Sequence, residues 1–283
     1  MRIKLLHLVT YKPTVELQIG WGFKISMFVA MAIQNENQTL HNVISKLHLG
    51  LSIACLFLII GLIACHSETP AEEPSLFSIE FDEASDLAYW SPEVEGPLSQ
   101  VSIIDGALDI EASGGATVWL KQKLKAPIEI KYTAFVVGDE GPNDRVSDLN
   151  CFWMAKDPRC PEDIFSCADS IRTGKFPDYH QIQTYYVGYG GHNNSKTRFR
   201  RYTGTGDRPL LPQHDLAEPH LITPNKDIKV HIKVYPDRTT YSINDELIFD
   251  YEDEAPYQEG WFAFRTVRNH LKIRDFSINT LKD

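Results

Sequence analysis

The feature that most constrains the fold is a series of short, β-rich runs separated by turn signals, from residue 102 to residue 278. Valine, isoleucine, tyrosine and phenylalanine, which favour strands, recur in these runs. Asp105-Gly106, Pro236-Asp237 and Asn244-Asp245 mark turns between them. No window has a long apolar period of 3.6 residues, so little helix is expected. The pattern predicts an all-β domain, a two-sheet sandwich or jelly roll.

About a dozen strands can be placed on this pattern. A tight Asp-Gly turn joins the first two into a hairpin. The predicted strands are residues 102–104, 107–111, 116–124, 128–137, 149–156, 179–189, 196–202, 227–235, 239–243, 247–251, 261–267 and 271–278. The segment 138–202 departs from regular spacing, because long polar stretches interrupt its strands.

An uncharged, apolar run precedes this domain, from residue 49 to Cys65, with Lys46 just before it. This order of a basic and an apolar segment is that of a signal peptide. The run ends in Leu62-Ile63-Ala64-Cys65, which resembles the lipobox of bacterial lipoproteins, whose cysteine is acylated after the preceding residues are removed. A transmembrane anchor is the alternative, since about 20 apolar residues span a bilayer. The small residue before Cys65 and the polar sequence after it favour the lipoprotein.

We therefore divide the chain into three parts. Residues 1–64 are a signal or leader segment, whose first part can also be read as an extension from a misplaced start codon. Residues 65–75 are the lipidated Cys65 and a polar tether, and residues 76–283 are the β-sandwich domain. The lipobox resemblance implies a cell-envelope lipoprotein, anchored to a membrane by its lipid and facing the periplasm or the cell surface.

The charge balance limits the partners of the domain. The chain has a formal net charge of −10, and its leader contains more basic than acidic residues. A domain this acidic is not expected to bind nucleic acid or anionic lipid through its overall field. An anionic partner must therefore be held by a local cluster of basic residues. We expect a monomer.

Three cysteines belong to the domain. An exported protein meets an oxidising compartment, and Cys160 and Cys167 flank a short loop, so they are the expected disulfide pair. Cys151 lies inside an apolar run and is expected to be a buried free thiol. No histidine stands at ligand spacing from these thiols, so no metal site is predicted.

The C-terminal third resembles the end of concanavalin A-like lectin and glucanase jelly rolls. The similarity rests on the hairpin that turns at Asn244-Asp245, the strand that starts at Gly260 and the final strand at residues 271–278. It covers about residues 76–281 and implies a jelly-roll sandwich. It implies no single activity, because this fold carries glycosidases, lyases and binding modules. The fold allows a structural calcium ion, but no run of ligands points to one, so no cofactor is expected.

The middle segment carries two further resemblances. The runs DRVSDLNCFWMA (144–155) and HQIQTYYVGYGG (180–191) are similar to runs in a family of exported, largely uncharacterised domains found among polysaccharide-degrading proteins. The chemistry is also similar to that of jelly-roll polysaccharide lyases of the alginate and ulvan type, which use a Gln-Ile-His strand, a tyrosine and an arginine. Here the strand reads His180-Gln181-Ile182-Gln183, so the order departs from that motif.

Lyase chemistry explains why such residues would meet. β-Elimination removes a proton beside a uronate carboxylate, which arginine or an amide must first neutralise. A histidine or tyrosine takes the proton, and another protonates the leaving oxygen. The candidate substrate-binding residues are Arg145, Asn150, Gln181, Gln183, Tyr185, Arg198 and Arg200. The candidate proton-transfer residues are His180, His192, Tyr189 and Tyr202.

Strand alternation refines this assignment. On the strand predicted at residues 179–189, the odd positions share one face. Because that face carries Gln181, Gln183 and tyrosines, we predict that it lines a carbohydrate groove. His180 then points to the opposite face unless a bulge intervenes, which leaves His192 as the rival base.

Plainer interpretations stay open. The arginines at 198, 200 and 201 are also typical of a solvated strand face or of edge protection. The tryptophans at 153 and 261 and the tyrosine cluster are more often core residues than sugar platforms.

A hydrolase is less favoured by the sequence. Retaining glycosidases need two carboxylates a few ångströms apart. No E-x-D-x-E run occurs, and Asp148 and Asp157 stand at opposite ends of the strand at 149–156. The leading prediction is an exported, carbohydrate-active lipoprotein, a lyase that cleaves an acidic polysaccharide or oligosaccharide by β-elimination. The alternatives are a non-catalytic glycan-binding module and a glycoside hydrolase on the same fold.

Overall fold

A computed structural model describes residues 75–281 of the chain. The expected leader at residues 1–64, the lipidation site Cys65 and the tether up to residue 74 lie outside the described residues. Within them, no helix is both long and apolar enough to cross a membrane. The described part is built from antiparallel strands, which confirms the prediction of an all-β jelly-roll domain.

Fourteen strands make up the domain. In chain order they are β1 (Phe77–Ile79), β2 (Trp90–Val94), β3 (Gln100–Ile104), β4 (Ala107–Leu120), β5 (Leu124–Lys125), β6 (Ile128–Val136), β7 (Leu149–Lys156), β8 (Gln183–Gly190), β9 (Lys196–Thr203), β10 (Asp215–Leu216), β11 (Asp227–Val234), β12 (Arg238–Ile243), β13 (Glu246–Glu252) and β14 (Glu259–Thr280).

Helical segments are few and short. One α-helical turn covers Ala168–Ile171, and 3-10 turns cover Ala84–Tyr89, Phe176–Tyr179 and Pro212–His214. A turn at Gly191–Asn194 contains left-handed residues and is described with the site below.

The strands form one continuous sheet that folds over into two layers. β4 and β14 pair along most of their length, and their register shifts between Val267 and Asn269, where both pass from one layer to the other. The first layer continues from β14 through β7, β8 and β9 to β10. The second continues from β14 through β6, β11 and β12 to β13.

The main core lies between these layers. Trp153 of β7 stacks on Tyr241 of β12 with ring centroids 6.3 Å apart, and its indole N–H donates to Thr239 Oγ1 at 3.0 Å. Phe199 of β9 meets Phe249 of β13 at 5.9 Å. The inner faces of both layers are therefore fixed by aromatic contacts across the sandwich.

A second apolar cluster covers part of the outer face of the first layer. The segment 157–182 leaves the sheet after β7 and folds back over it, placing Tyr179 against Trp119 and Phe152. Arg172 of this segment is buried and binds Glu93 of β2 and Asp157. This segment covers one end of the outer face and leaves the other end open.

The same segment contains the expected disulfide. Cys160 and Cys167 are bonded, with their Cα atoms 5.9 Å apart. Cys151 is a buried free cysteine in the core, and burial raises the pKa of its thiol to about 12. A thiol held in its neutral form is a weak nucleophile, so Cys151 acts as a core residue.

Several predicted strand ends change. The strands expected at residues 107–111 and 116–124 are parts of one strand, β4, and those expected at 261–267 and 271–278 are parts of β14. The strand expected from residue 179 starts at Gln183, because Pro177 and its neighbours form a 3-10 turn. His180 therefore lies at the end of a turn and is not part of the strand.

Candidate functional site: a basic groove on the first layer

The open part of the outer face forms a groove whose floor is built by β7, β8, β9 and β14. Neighbouring strands place Tyr186 of β8 beside Arg200 of β9, and Gly188 beside Arg198. Because side chains alternate along a strand, the residues between these point into the core. The groove therefore uses the even-numbered positions of β8 and β9.

The groove has a volume of about 510 Å³, within the usual range for small-molecule sites. Its lining residues are Arg145, Asp148, Phe176, Tyr186, Gly188, Gly191, His192, Asn193, Lys196, Arg198, Arg200, Tyr202, Arg208, Val267 and Arg268. We call this set the basic groove.

Its charge is opposite to that of the whole chain. Among the described residues that line it, six are lysine or arginine and one, Asp148, is a carboxylate. The chain as a whole has 38 acidic and 28 basic residues. A local excess of cations in an acidic protein is the electrostatic pattern of an anion site.

A left-handed turn forms one rim of the groove. His192, Asn193 and Asn194 have φ values of 53°, 57° and 55°, a region that asparagine tolerates better than most residues. The Asn194 amide fixes the turn: its Nδ2 donates to the Ile222 carbonyl at 2.9 Å and its Oδ1 accepts from the Ile222 amide at 2.8 Å. The fixed turn presents His192 and Asn193 to the groove.

Arg145 closes the groove on the side of β14. It forms an ion pair with Asp148, donates to the Val267 carbonyl at 2.6 Å, and donates to Asn193 Oδ1 at 2.6 Å. These contacts tie the loop before β7 to the bend of β14 and to the left-handed turn. Arg145 thus shapes the wall of the groove, and its charge is largely matched.

Arg198 lies in the middle of the floor. Its Nε donates to Asp215 Oδ1 of β10 at 2.8 Å, and its Nη1 lies 2.5 Å from His192 Nε2. A guanidinium has no acceptor, so His192 Nε2 is the acceptor in this contact. Asp215 also lies 3.7 Å from Lys196 Nζ.

Arg200 and Arg208 lie at the end covered by segment 157–182. Arg200 Nη1 donates to the Arg208 carbonyl at 2.6 Å, and Arg208 Nη1 lies 2.9 Å from His180 Nε2. His180 Nε2 is therefore an acceptor, and burial together with nearby Arg208 lowers the pKa of His180. Each of these two histidines therefore presents its Nε2 as an acceptor to an adjacent guanidinium.

Aromatic rings lie beside these cations. The Tyr186 ring is 5.9 Å from Phe176 and 5.4 Å from Tyr202, measured between centroids. A Cβ added at Gly188 would lie 2.8 Å from the Tyr186 hydroxyl oxygen, so Gly188 leaves the space that this phenol occupies. Burial raises the pKa of Tyr186 well above its ordinary value, so the phenol stays protonated. Aromatic rings beside polar groups are typical of sugar sites.

A buried cation lies next to the floor. Arg265 of β14 is 1% exposed, donates to Thr117 Oγ1 at 2.9 Å and to the Gly174 carbonyl at 2.5 Å, and lies over the rings of Phe176 and Tyr179. Its Nε and Nη2 atoms have no partner among the described residues. Burial lowers the pKa of Arg265, but no carboxylate of the described chain forms an ion pair with it.

The structure brings five of the predicted site residues together. His192, Tyr202, Arg145, Arg198 and Arg200 all line the basic groove.

Two more predicted residues adjoin the groove. His180 touches the lining residues Phe176 and Arg208. Asn150 is 3% exposed and lies beneath the floor, where its Nδ2 is 3.5 Å from Asp148 Oδ1.

Four predicted site residues lie elsewhere. Tyr185 and Tyr189 are in the core between the layers, and their hydroxyls donate to Asp253 Oδ2 at 2.6 Å and to the Leu221 carbonyl at 2.9 Å. Gln181 is exposed before β8, and Gln183 begins β8 outside the groove. The prediction that the odd positions face a groove is wrong, because buried phenols with hydrogen-bond partners pack as core residues.

Several aromatic and basic residues have a structural role in place of the ligand-binding one. Trp153 is a core residue, and Trp261 belongs to the second apolar cluster under segment 157–182. Arg201 leaves the groove face, pairs with Asp253 at 2.7 Å and lies over the Tyr257 ring at 4.1 Å. Arg198 and Arg200 point into the groove instead of forming only an exposed strand face.

Sequence reasoning missed other lining residues: Phe176, Tyr186, Gly188, Lys196, Arg208 and Arg268. A signal for Tyr186 and Gly188 was available. On β9 the apolar Phe199 lies between Arg198 and Arg200, so Phe199 is expected to face the core and the two arginines the other side. Because β8 pairs with β9 in antiparallel register, Tyr186 lies beside Arg200 and Gly188 beside Arg198, which places the even positions of β8 in the groove.

The acids noted in the sequence do not form a pair. Asp148 lines the groove, whereas Asp157 is buried between Arg172 and Arg159 at distances of 2.9 and 2.8 Å. Within residues 75–281, no group of three or more His, Cys, Asp or Glu side chains is arranged to hold a metal ion.

The fold and the groove together define a two-layer jelly-roll domain with a cationic site on the outer face of one layer. Residues 110–276, more than half of the chain, match a family described as domain of unknown function DUF6250. The chain belongs to that family. A comparison with curated proteins found no match.

Two solved structures share the fold. One is a protein of unknown function with a galectin-like fold from Bacillus subtilis, at 18% identity, with a TM-score of 0.60, covering 74% of this chain and 97% of that chain. Another is a variant of the Emp46p carbohydrate recognition domain, at 12% identity, with a TM-score of 0.50, covering 75% of this chain and 100% of that chain. At these identities the similarity is one of fold.

Proposed function

We propose that the basic groove binds an acidic oligosaccharide. The observation that carries the proposal is the excess of six cations over one carboxylate among its described lining residues, in a chain of net charge −10. Such a groove attracts anions while the rest of the surface repels them. An acidic ligand also gains charge-assisted hydrogen bonds from the guanidinium groups.

The rest of the lining suits a sugar. The rings of Tyr186 and Phe176 line the groove, and Asn193 and His192 supply polar atoms at its rim. The fold is shared with a carbohydrate recognition domain, that of Emp46p, which supports a carbohydrate ligand by analogy. A nucleic acid is not favoured, because the cations are confined to one groove of an acidic domain.

The direct test is calorimetry on the full chain with matched ligands. The ligand is an oligouronate, and its control is the same oligosaccharide after its carboxyl groups are reduced to alcohols. We expect measurable affinity for the acidic form that weakens as salt is raised, since screening reduces charge attraction. Equal affinity for both forms would contradict the proposal.

A second candidate function is β-elimination in the same groove. The observation that favours it is that the Nε2 atoms of His192 and His180 each lie in hydrogen-bond contact with an arginine, Arg198 or Arg208, which can only donate. A ligand carboxylate that draws the guanidinium away would free Nε2 to act as a base. The base takes the proton beside the carboxylate, a carbon–carbon double bond forms, the bond to the leaving oxygen breaks, and Tyr186 or Tyr202 protonates that oxygen.

This second function has a separate readout. Incubation with alginate, pectin, ulvan or glucuronan would release unsaturated ends that absorb in the ultraviolet. We expect the His192→Ala and His180→Ala variants to identify which imidazole is the base, because only one of them would lose activity while keeping ligand affinity. If every uronate polymer binds but none yields product, the groove is a binding site and the lyase function is wrong.

We also propose that the chain acts at the cell envelope as a lipoprotein. The proposal rests on the lipobox-like sequence that ends at Cys65. Labelling cells with a radioactive fatty acid should mark the chain and not its Cys65→Ala variant. Equal labelling of both would contradict it.

A further inference from the structure

The cations of the basic groove differ in how their charge is matched. Arg145 pairs with Asp148, and Arg198 pairs with Asp215 at 2.8 Å. Arg200 and Arg208, at the other end, form no ion pair with any carboxylate of the described residues; their polar contacts are a carbonyl and an imidazole. The charges of these two arginines are therefore unmatched among residues 75–281, although the chain has 38 acidic residues.

These two guanidiniums are held in place before any ligand arrives. Arg200 Nη1 is fixed on the Arg208 carbonyl at 2.6 Å, and Arg208 Nη1 is fixed on His180 Nε2 at 2.9 Å. Burial lowers the pKa of Arg200, and the nearby charges of Arg198 and Arg208 lower it further. Other N–H groups of the two side chains have no carboxylate partner in the described part of the chain, so a bound anion could accept from them and relieve the repulsion between the two charges.

A third donor lies beside them. The Tyr202 side chain is 0% exposed and lines the groove. The Arg208 guanidinium lies 5.7 Å from the centre of its ring and can only donate to its hydroxyl oxygen, so the O–H itself has no acceptor among the described residues. A buried O–H without an acceptor loses free energy unless a ligand accepts its hydrogen bond.

We infer that Arg200, Arg208 and the Tyr202 hydroxyl form a subsite for a single oxyanion, a carboxylate or a sulfate ester on one sugar of the ligand. This inference rests on the proposed function of the groove and adds which end of it recognises the acid. The buried charge of Arg265, which has no ion-pair partner in the described chain, adds to the positive potential at this end. The end with Arg145 and Arg198 receives the rest of the ligand.

The test compares the full chain with single variants by calorimetry. The ligands are an oligouronate, its carboxyl-reduced form and a sulfated oligosaccharide with the same neutral backbone. Arg200→Gln should weaken binding of the acidic ligand by about 10- to 100-fold, the range for a hydrogen bond to a charged group. Tyr202→Phe, which removes one oxygen only, should weaken it by about 2- to 10-fold. The affinity for the carboxyl-reduced ligand should fall by less than about threefold in either variant.

Arg268→Gln is the comparison within the groove. Arg268 is an arginine that lines the same groove, but it is exposed and lies on the bend of β14 near Arg145. Because solvent screens its charge, we expect its substitution to weaken acid binding by less than Arg200→Gln does. Arg238→Gln, on β12 of the second layer and outside the groove, is the control that should bind as the native chain does. Circular dichroism would show whether each variant is folded. If Arg200→Gln is not folded, Arg208→Gln is the variant that tests the subsite.

The outcomes separate this inference from the proposed function. If the native chain binds acidic and carboxyl-reduced ligands equally, the proposed function fails. If the native chain prefers the acid but Arg268→Gln loses as much affinity as Arg200→Gln, the groove binds acids and the subsite assignment is wrong. A preference for the uronate or for the sulfated ligand that disappears in Arg200→Gln supports the subsite and identifies the oxyanion.

Discussion

Arg172 and Arg265 are both buried arginines, and they differ in what surrounds their charge. Arg172 binds two buried carboxylates, those of Glu93 and Asp157, at 2.9 Å each, whereas Arg265 contacts a hydroxyl, a carbonyl and ring faces. A buried charge is tolerated when it is paired and hydrogen-bonded. Arg172 therefore stabilises segment 157–182 on the first layer, while Arg265 leaves a net positive charge beside the groove.

Replacing Arg172 should destabilise the domain strongly. Arg172→Met leaves Glu93 and Asp157 buried without their shared cation, a change that costs about 3–5 kcal/mol. Arg159→Met is the control, because Arg159 binds the same Asp157 from a partly exposed position and should cost about 1 kcal/mol or less. Urea denaturation gives both free energies of unfolding. Equal losses would mean that the buried network does not hold this segment.

Replacing Gly188 by alanine tests the groove floor, because it adds a single carbon atom there. In Gly188→Ala the added Cβ would meet the Tyr186 ring and hydroxyl at 2.8 to 3.3 Å, so the ring must move. We expect a folded variant with at least about fivefold weaker binding of an oligouronate, the order expected for losing an aromatic contact. Gly191 lines the same groove, but a Cβ added there would have its nearest contacts at 3.7 Å. The control variant Gly191→Ala should therefore bind the oligouronate as the native chain does. Unchanged affinity in Gly188→Ala would remove Tyr186 from the ligand site.

Among the strands, β8 shows what sequence reasoning can and cannot supply. Alternation correctly groups Tyr185, Val187 and Tyr189 on one face, but it does not say which face is buried. A tyrosine fits either a core or a groove, and its hydrogen-bond partners, here Asp253 and the Leu221 carbonyl, come from distant parts of the chain. Strand positions were therefore predictable in large part, whereas the lining contributed by the turn at Phe176 and by Arg208 depended on long-range packing.

The bend of β14 gives a pH-dependent prediction. His270 lies just past the bend; its Nε2 is 3.0 Å from Asp109 Oδ2 of β4, and its Nδ1 is 3.4 Å from Asp144 Oδ1. The hydrogen bond with Asp109, together with the charges of Asp109, Asp144 and Glu111, raises the pKa of His270. A raised pKa stabilises the folded state below the unfolded value, near 6.5, and this contribution is lost as pH rises through the folded value.

The measurement is the free energy of unfolding of the native chain minus that of His270→Gln. We expect this difference to be larger at about pH 5.5 than at about pH 8.5, on either side of the ordinary imidazole pKa. Taking the difference cancels the other histidines, including His231, whose pKa is lowered by burial. A difference that is constant with pH, or larger at high pH, would contradict the ion pairs of His270.

Across the whole molecule, positive charge is concentrated in one groove although the chain has a net negative charge. The chain is acidic, yet the open part of one outer face concentrates six cations in a groove that segment 157–182 and the left-handed turn enclose. The sequence indicated an anionic glycan, with Arg145, Arg198 and Arg200 as the cations that bind it. It did not reveal that Arg208 and Arg268 also line the groove. Arg208 follows Arg200 closely but is placed by its contact with His180, and Arg268 is distant in the chain and is brought to the groove by the bend of β14.

The most direct test of this account is a crystal structure of the chain with an acidic oligosaccharide. We predict that the sugar lies across Tyr186 and Gly188 with its oxyanion within hydrogen-bond distance of Arg200 and Arg208. Density for the ligand on the outer face of the second layer, with the basic groove empty, would contradict the central claim that this groove is the ligand site.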